Sequence, residues 1–363
     1  MKINFLTSEI AEGTGGFLYD GMLYYKFLNR FGKDVNLIDN SYFGDEFSFM
    51  PKKSLQLSAS YRKHAKEILD CDYLLVNTSY CRFFMFFPWY LKKQSHCKII
   101  SLTHHPDYME YSGMKQYIWK ELMLSVLRNS DNNITPCQYT YDWMGQWDFI
   151  QNRMFLDPYL DNTIHVSNVK KEKVICYVGS VEVRKGLEFG IRAFAEFLKT
   201  HLDYRFLIAG NFPLDSDYAP FRTYSESLVQ LVSDLDISDQ VEFLGRIDNE
   251  QKEHLFETSQ VFLFPSLLEG YGWVIVEAMS YGLPVVAFNN TAMPYTINDT
   301  NGILVPNKDI DAMAKGLCRL VDNKELYDQL SSGALKTVQN LPDKETIDQE
   351  YVEFLDKIER GTL

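Results

Sequence analysis

Glu269 and Glu277 stand eight residues apart in the run FPSLLEGYGWVIVEAMSYGLPVV, residues 264–286, with a Gly-Tyr-Gly turn between them. The segment VFLFP, Val261 to Pro265, is a short apolar run of the kind that forms a buried parallel strand. Gly270 and Gly272 allow the backbone to turn tightly and approach a ligand. The pattern predicts a helix from about Trp273, whose free N–H groups and positive dipole end face back onto the turn and make an anion site. Gly282 is placed to end that helix, and Pro284 prevents its continuation. Glu269 then precedes the anion site and Glu277 lies just over one turn into the helix. This suits a nucleotide sugar, with phosphates on the helix end and hydroxyls on the carboxylates. The bland alternative is two acids that cap and solvate a surface helix.

Two further segments carry chemistry of matching kinds. In VGSVEVRKG, residues 178–186, a glycine at a strand end is followed by Arg184 and Lys185 ahead of a helix. Such cations hold a diphosphate by charge-assisted hydrogen bonds, or else point into water from a solvated helix start. THHP, Thr103 to Pro106, follows the apolar run KIISL, and a histidine at a strand's C-terminal end sits where ligands bind in open α/β sheets. A histidine pair also suits a metal, but the sequence reading finds no acid or cysteine spacing nearby to complete one. AEGTGGF, residues 11–17, follows the first strand, and Gly15-Gly16 would open a close-approach loop at a helix start. Asp215-Ser216-Asp217 falls in a polar connection, away from any strand-end loop suited to a metal.

The elements that must position these groups alternate along the chain. Strands are expected at Ile3 to Thr7, Val35 to Ile38, Asp72 to Asn77, Lys98 to Thr103 and Asn132 to Cys137, with helices at Tyr19 to Phe31 and Tyr117 to Arg128. A polar stretch at Asp161 to Lys173 reads as a linker. The rhythm then restarts with Val174 to Ser180, a helix from about Leu187 to Thr200, Phe206 to Gly210, a helix through Leu228 to Leu235, and Val241 to Gly245. Gly302 to Pro306, a helix from Ile310 to Val321 and an amphipathic stretch from Glu345 to Arg360 close the chain. This is the rhythm of doubly wound parallel sheets. At 363 residues, two domains are the natural division.

Composition narrows the partners. The net charge of −13 argues against nucleic acid. Residues 1–165 hold 17 Lys+Arg and 18 Asp+Glu, leaving 19 and 31 beyond, so the first half is nearly neutral and is the half suited to approach an anionic surface. The six cysteines show no paired spacing, which fits a reducing compartment. The start MKINFLTSEI reads as a first strand and not a signal peptide, and no apolar window is long enough to span a membrane, so the expectation is a cytoplasmic protein. CRFFMFFPWYLKK, Cys81 to Lys93, mixes aromatics with cations, which suits either a packed helix or a peripheral contact at the inner face of a membrane.

The acid–glycine–acid segment closely resembles the Glu-x7-Glu signature of the retaining glycosyltransferases of family 4. That resemblance implies an α/β, GT-B fold: two Rossmann-like doubly wound domains facing across a cleft. It implies an acceptor domain over 1–167, a nucleotide-sugar domain over 168–344, and a last helix within 345–363 that crosses back onto the first. Glu269 would touch the donor sugar, Glu277 the ribose, and the amides of Gly270, Tyr271, Gly272 and Trp273 the diphosphate. Lys185 matches a family lysine. The family often has an arginine directly after the strand-end glycine, where this chain has Ser180, so Arg184 is read as its substitute. His104 matches the histidine that lines the reaction site, with His105 the runner-up. Gly15 and Gly16 would lie near donor phosphates, Asn211 near the diphosphate, and Gly245 and Arg246 near the nucleobase. Asn301-Gly302 matches a family turn, whereas Tyr295 stands after Pro294 where a glutamate is common.

The expected activity is metal-independent transfer of a hexose, with retention, from a UDP- or GDP-sugar to a hydroxyl on a glycan or lipid-linked acceptor. No cofactor is expected beyond that substrate. The catalytic set would be His104, Lys185 and Glu269, with front-face attack by the acceptor. Two other readings stay open: a nucleotide-sugar epimerase, and a degenerate partner subunit, for which Ser180 and Tyr295 speak. Lys185→Ala is expected to abolish transfer without unfolding the protein.

Overall fold

A computed structural model of the protein describes residues 1–7, 15–38, 64–78, 96–165, 169–212 and 219–363. Residues 11–14 of the first glycine loop, the aromatic stretch Cys81 to Lys93 and Asp215-Ser216-Asp217 lie outside the described residues. The chain divides into two compact units, Met1–Tyr159 with Asp343–Leu363, and Leu160–Pro342. The division falls before the 167/168 boundary expected from the polar stretch, for a local reason. His165 donates its backbone N–H to Ser280 O at 3.0 Å and stacks its ring on Tyr281 at 4.3 Å, which ties this stretch to the second unit.

In the first unit, β1 (Ile3–Leu6), β2 (Val35–Ile38), β3 (Tyr73–Asn77), β4 (Lys98–Leu102), β5 (Asn132–Thr135) and β6 (Arg153–Phe155) form one parallel sheet in the order β2-β1-β3-β4-β5-β6. β1 and β3 are buried throughout, their polar Asn4 and Asn77 included, as in a sheet covered on both faces. The order reverses between β1 and β3, the kind of switch point where ligands bind in open sheets. The register pairs Leu6 with Val76 and Asn77 with Leu102, so the chain leaves all three strands along one edge. The helix Gly15–Phe31 starts at the glycine pair, earlier than the expected Tyr19.

The last helix, Lys344–Glu359, packs within this unit. Ile347, Tyr351, Phe354 and Ile358 recur at helical spacing and are all buried. Tyr351 Oη donates to Asp157 O at 3.0 Å, and Lys26 Nζ reaches Asp348 Oδ1 at 2.5 Å.

The second unit repeats the plan. β7 (Val174–Val178), β8 (Arg205–Ala209), β9 (Val241–Gly245), β10 (Val261–Phe264), β11 (Val285–Phe288) and β12 (Gly302–Val305) form a parallel sheet in the order β12-β11-β10-β7-β8-β9. This is the doubly wound Rossmann order, and its switch point falls between β7 and β10. Those strands pair in register, Val261 with Ile175 and Phe262 with Cys176. The loops that leave them are therefore neighbours, and Leu267 N–H donates to Arg184 O at 2.8 Å. Besides the short Met293–Thr296, two longer helices not anticipated from sequence lie here among the described residues. Asn249–Thr258 begins with a reciprocal Asp248–Gln251 capping box, and Lys324–Gln339 begins on an Asn323 cap. Several strands end one or two residues before the expected limits, as β4 and β7 do. Among the described residues, no helix is long and apolar enough to cross a membrane.

Gly186 joins a 3-10 turn, Val183–Lys185, to the helix Leu187–Leu198 with φ +62°. A Cβ there would sit 2.2 Å from Pro265 O, in the loop after β10, so the two switch-point loops meet at a residue without a side chain. Gly245 has a similar φ of +68° but nothing within 4 Å of an added Cβ. Gly186→Ala should therefore cost well over the roughly 1–2 kcal/mol of left-handed backbone strain that alone applies to Gly245→Ala. Urea unfolding of the two variants checks this; equal losses would contradict the contact.

Candidate functional site

Lys185 and Glu269 meet at the switch point of the second unit. Lys185 ends the turn after β7, Glu269 lies in the loop after β10, and their side chains form a direct ion pair, Nζ to Oε1. Both are nearly buried, with side chains 11% and 8% exposed. Ser266 Oγ donates to the same carboxylate oxygen at 2.7 Å, and the Glu269 backbone N–H donates to Thr291 Oγ1 at 3.1 Å. Arg184 Nη1 stands 3.9 Å from that oxygen, while its Nε binds Glu182 at 2.9 Å.

Burial drives the Lys185 ammonium below its ordinary range, and attraction to Glu269 recovers only part of that. Burial acts to raise Glu269, but Lys185, Arg184 and Ser266 outweigh it, and the carboxyl is held below its usual value. The result is a cation and an anion fixed side by side, with a second cation near them. The family resemblance assigns these two residues to different parts of a ligand; the structure makes them partners first.

The helix Trp273–Ser280 begins beside this loop. Gly272, at φ +83°, is its N-cap, and a Cβ there would meet Ile275 Cδ1 at 2.8 Å. Gly270 is not in the left-handed region, so only one of the two glycines carries the turn. Tyr271 and Trp273 rings meet edge to face at 6.4 Å. Glu277 is exposed and binds Lys252 Nζ, on Asn249–Thr258, at 2.8 Å. The two acids of the opening motif thus differ in environment: Glu269 is buried and triply held, Glu277 is on the surface in one ion pair.

The remaining second-unit residues are placed by strand ends. Ser180 accepts a hydrogen bond from Tyr177 Oη on its backbone oxygen at 2.9 Å. Asn211 follows β8 and Arg246 follows β9; both are exposed. Gly245 O accepts from Gly210 N–H at 2.8 Å, which joins those two strand ends. Asn301 is fully buried and holds its own turn, donating to Thr296 O and Thr337 Oγ1 at 2.9 Å each. Tyr295 is half exposed on the short helix Met293–Thr296.

In the first unit His104 leaves the end of β4 and its Nε2 lies 2.7 Å from Asp20 Oδ1. Asp20, on Gly15–Phe31, is fully buried, and its other oxygen accepts from Thr7 Oγ1 at 2.8 Å and Asn77 Nδ2 at 2.6 Å. His105 turns elsewhere: its Nε2 is 3.0 Å from Asp107 Oδ1 and 3.6 Å from Glu110 Oε1. Acids do therefore stand near the histidine pair, contrary to the sequence reading, yet no group of three metal-capable side chains occurs among the described residues. Gly15 and Gly16 are the first two residues of their helix. Sequence reasoning missed Asp20, Thr7 and Asn77, and nothing in their spacing marks them.

Breaking the Lys185–Glu269 pair on one side strands a buried charge, which typically costs about 3–5 kcal/mol. Lys185→Ala should therefore destabilise the second unit, contrary to the sequence expectation, and Lys185→Met/Glu269→Met should recover much of the loss in denaturant unfolding. Because Glu269 lies below its ordinary 4.5 when folded, its contribution is present above that pH and lost as pH falls through the folded value. Glu269→Gln should remove that acid-side component; an unchanged acid limb would contradict the pairing.

Comparison with known proteins agrees with this architecture. Residues 161–337 match the family model described as glycosyl transferases group 1. An uncharacterised glycosyltransferase of Haemophilus influenzae is 32% identical over 163 residues, covering 44% of this chain and 43% of that protein. Matches to the curated relatives cover between 33% and 53% of their own length. Sucrose-phosphate synthase from Thermosynechococcus elongatus superposes with a TM-score of 0.76 at 21% identity, covering 99% of both chains. Anabaena HepE in complex with UDP and glucose gives 0.71 at 18% identity, covering 98% of this chain and 100% of that one. These likenesses establish the two-domain α/β GT-B fold.

Proposed function

We propose, from the match of residues 161–337 to the group 1 glycosyl transferases, that this protein transfers a sugar from a nucleotide-diphosphate donor to a hydroxyl acceptor. The observation that carries this reading is the buried Lys185 ammonium at the β7–β10 switch point, paired with Glu269 beside the start of Trp273–Ser280. Departure of a nucleoside diphosphate builds negative charge on its phosphate oxygens. A fixed ammonium, the nearby Arg184 and helix-end amides stabilise such charge without reorganisation. With cations and amides in that role, no divalent metal is required.

In this reading Lys185, Arg184 and the amides from Gly270 to Trp273 hold the diphosphate. Ser180 and Asn211 flank it. Glu269 binds a sugar hydroxyl, Glu277 the ribose, and Gly245 and Arg246 the base. The acceptor oxygen attacks the anomeric carbon as the bond to the leaving phosphate breaks, its proton passing to the departing phosphate oxygen, with retained configuration and with His104 serving the sugar. Glu277 is engaged by Lys252, so ribose binding would share or replace that pair. A uridine or guanosine donor is the reading, and the complex of HepE with UDP and glucose supports the former. The acceptor is read as a glycan or lipid-linked hydroxyl, reached in the cytoplasm or at the inner face of a membrane.

A panel of UDP-, GDP- and ADP-sugars tests the reading. At a hundredfold excess over its dissociation constant, a true donor should stabilise the protein by about 2.7 kcal/mol, a rise of a few degrees in Tm. The same donor should be consumed, and Lys185→Ala, assayed where it remains folded, should lose roughly 100-fold or more in turnover. No stabilisation by any donor, or full turnover by the folded variant, would overturn it. NMR of the product's anomeric signal distinguishes retention from inversion, and an epimerised donor would point to the epimerase reading.

A further inference from the structure

The first unit contains a buried carboxylate that the reading above does not use. Asp20 has no exposed surface and lies on the helix Gly15–Phe31, facing the edge where β1, β3 and β4 end. Its three hydrogen-bond partners arrive from different elements. Thr7 follows β1, Asn77 ends β3, His104 follows β4, and Tyr19 beside it sets its ring edge-on to the imidazole at 5.7 Å. Thr7 Oγ1 and Asn77 Nδ2 both reach Oδ2, which leaves Oδ1 to His104 Nε2. A second contact fixes the histidine's main chain: Thr140 Oγ1 donates to His104 O at 2.9 Å.

Two donors on one oxygen prevent the carboxylate from rotating, so it presents its other oxygen to a single atom of a single ring. An ionised carboxylate only accepts hydrogen bonds, so Nε2 must carry the hydrogen. We propose that Asp20 is a positioning residue for His104: it fixes the ring with Nε2–H inward and leaves Nδ1 to meet the ligand, as a donor when the ring is protonated. This rests on the sugar-transfer reading. It assigns His104 the work of donating from its protonated ring to a sugar hydroxyl or phosphate oxygen; once neutral, the ring offers Nδ1 only as an acceptor.

The charges facing His104 agree with that direction. Burial opposes the cationic ring, but Asp20, by charge and hydrogen bond, and Asp107 outweigh it, so the imidazole titrates above its ordinary 6.5. Among the described residues, Tyr19, Thr7, Asn77 and Thr140 are the other groups around the dyad and bring no charge, since burial holds the Tyr19 phenol protonated.

The test is ¹⁵N NMR of the histidine rings in the full chain, beside the pH dependence of turnover of UDP-glucose or GDP-mannose, whichever is consumed. In the wild type, the neutral His104 ring should keep Nε2–H, and the ring should titrate above 6.5. Turnover should fall as pH rises through that titration. In Asp20→Asn, burial remains without the compensating charge, so the titration should drop below 6.5. The fall in turnover should move acidward with it, with kcat down roughly tenfold or more at neutral pH and KM changed less. His104→Gln, whose amide can still donate to Asp20, should lose the inflection altogether and keeps the proposal testable where Asp20→Asn fails to fold. A neutral wild-type ring protonated on Nδ1, or a folded Asp20→Asn with wild-type titration and pH profile, overturns the proposal. If no nucleotide sugar is consumed, the transfer reading fails and the proposed role falls with it. The NMR arm still reports whether Asp20 fixes the ring.

Discussion

A buried ion pair is tolerable only as a pair, and that constraint organises the second unit. Lys185 and Glu269 are 84 residues apart, and neither could be desolvated without the other. Their meeting requires β7 and β10 to be adjacent, which the doubly wound order supplies at its switch point. It requires the two exit loops to touch, which Gly186 permits by having no side chain against Pro265 O. It also requires the carboxylate's remaining hydrogen-bond capacity to be filled, in part by Ser266. Sequence, local turn and sheet order thus converge on one place, where a cation is held ready and an anion keeps it from drifting.

The first unit solves a related problem with a different charge. Asp20 is also buried at strand ends near a switch point, but its partners are hydroxyl, amide and imidazole groups. The pair in the second unit leaves two fixed opposite charges. The network in the first leaves one anion whose charge is answered by a titratable ring. The former suits binding a ligand of constant charge, and the latter makes the state of the ring depend on pH.

The parallel sheets were legible because buried strands such as VFLF are continuous apolar runs bounded by turn residues. The Glu269–Glu277 segment was legible because acid, glycine, helix and stop occur at fixed local offsets. What escaped was non-local or polar. The Lys185–Glu269 contact depends on strand order, which periodicity does not encode. Asp20 sits inside a helical run with nothing beside it in sequence to mark it, and becomes visible only when Thr7, Asn77 and His104 are brought to one edge. Asn249–Thr258 carries few apolar residues, so its capping box was a stronger signal than its periodicity. The boundary at Tyr159 was hidden because the following stretch looks like a linker yet is anchored by His165.

The central claim is that Lys185 is a diphosphate ligand restrained by Glu269. Calorimetric titration of UDP and GDP, without sugar, into the wild type, Glu269→Gln and a folded Lys185→Gln tests it most directly. Removing the carboxylate's charge should free the ammonium and lessen repulsion of the phosphates, so Glu269→Gln should bind the nucleotide more tightly than the wild type. Lys185→Gln should bind it roughly tenfold or more weakly, as loss of a charge-assisted contact implies. Equal affinity in all three proteins would contradict the account.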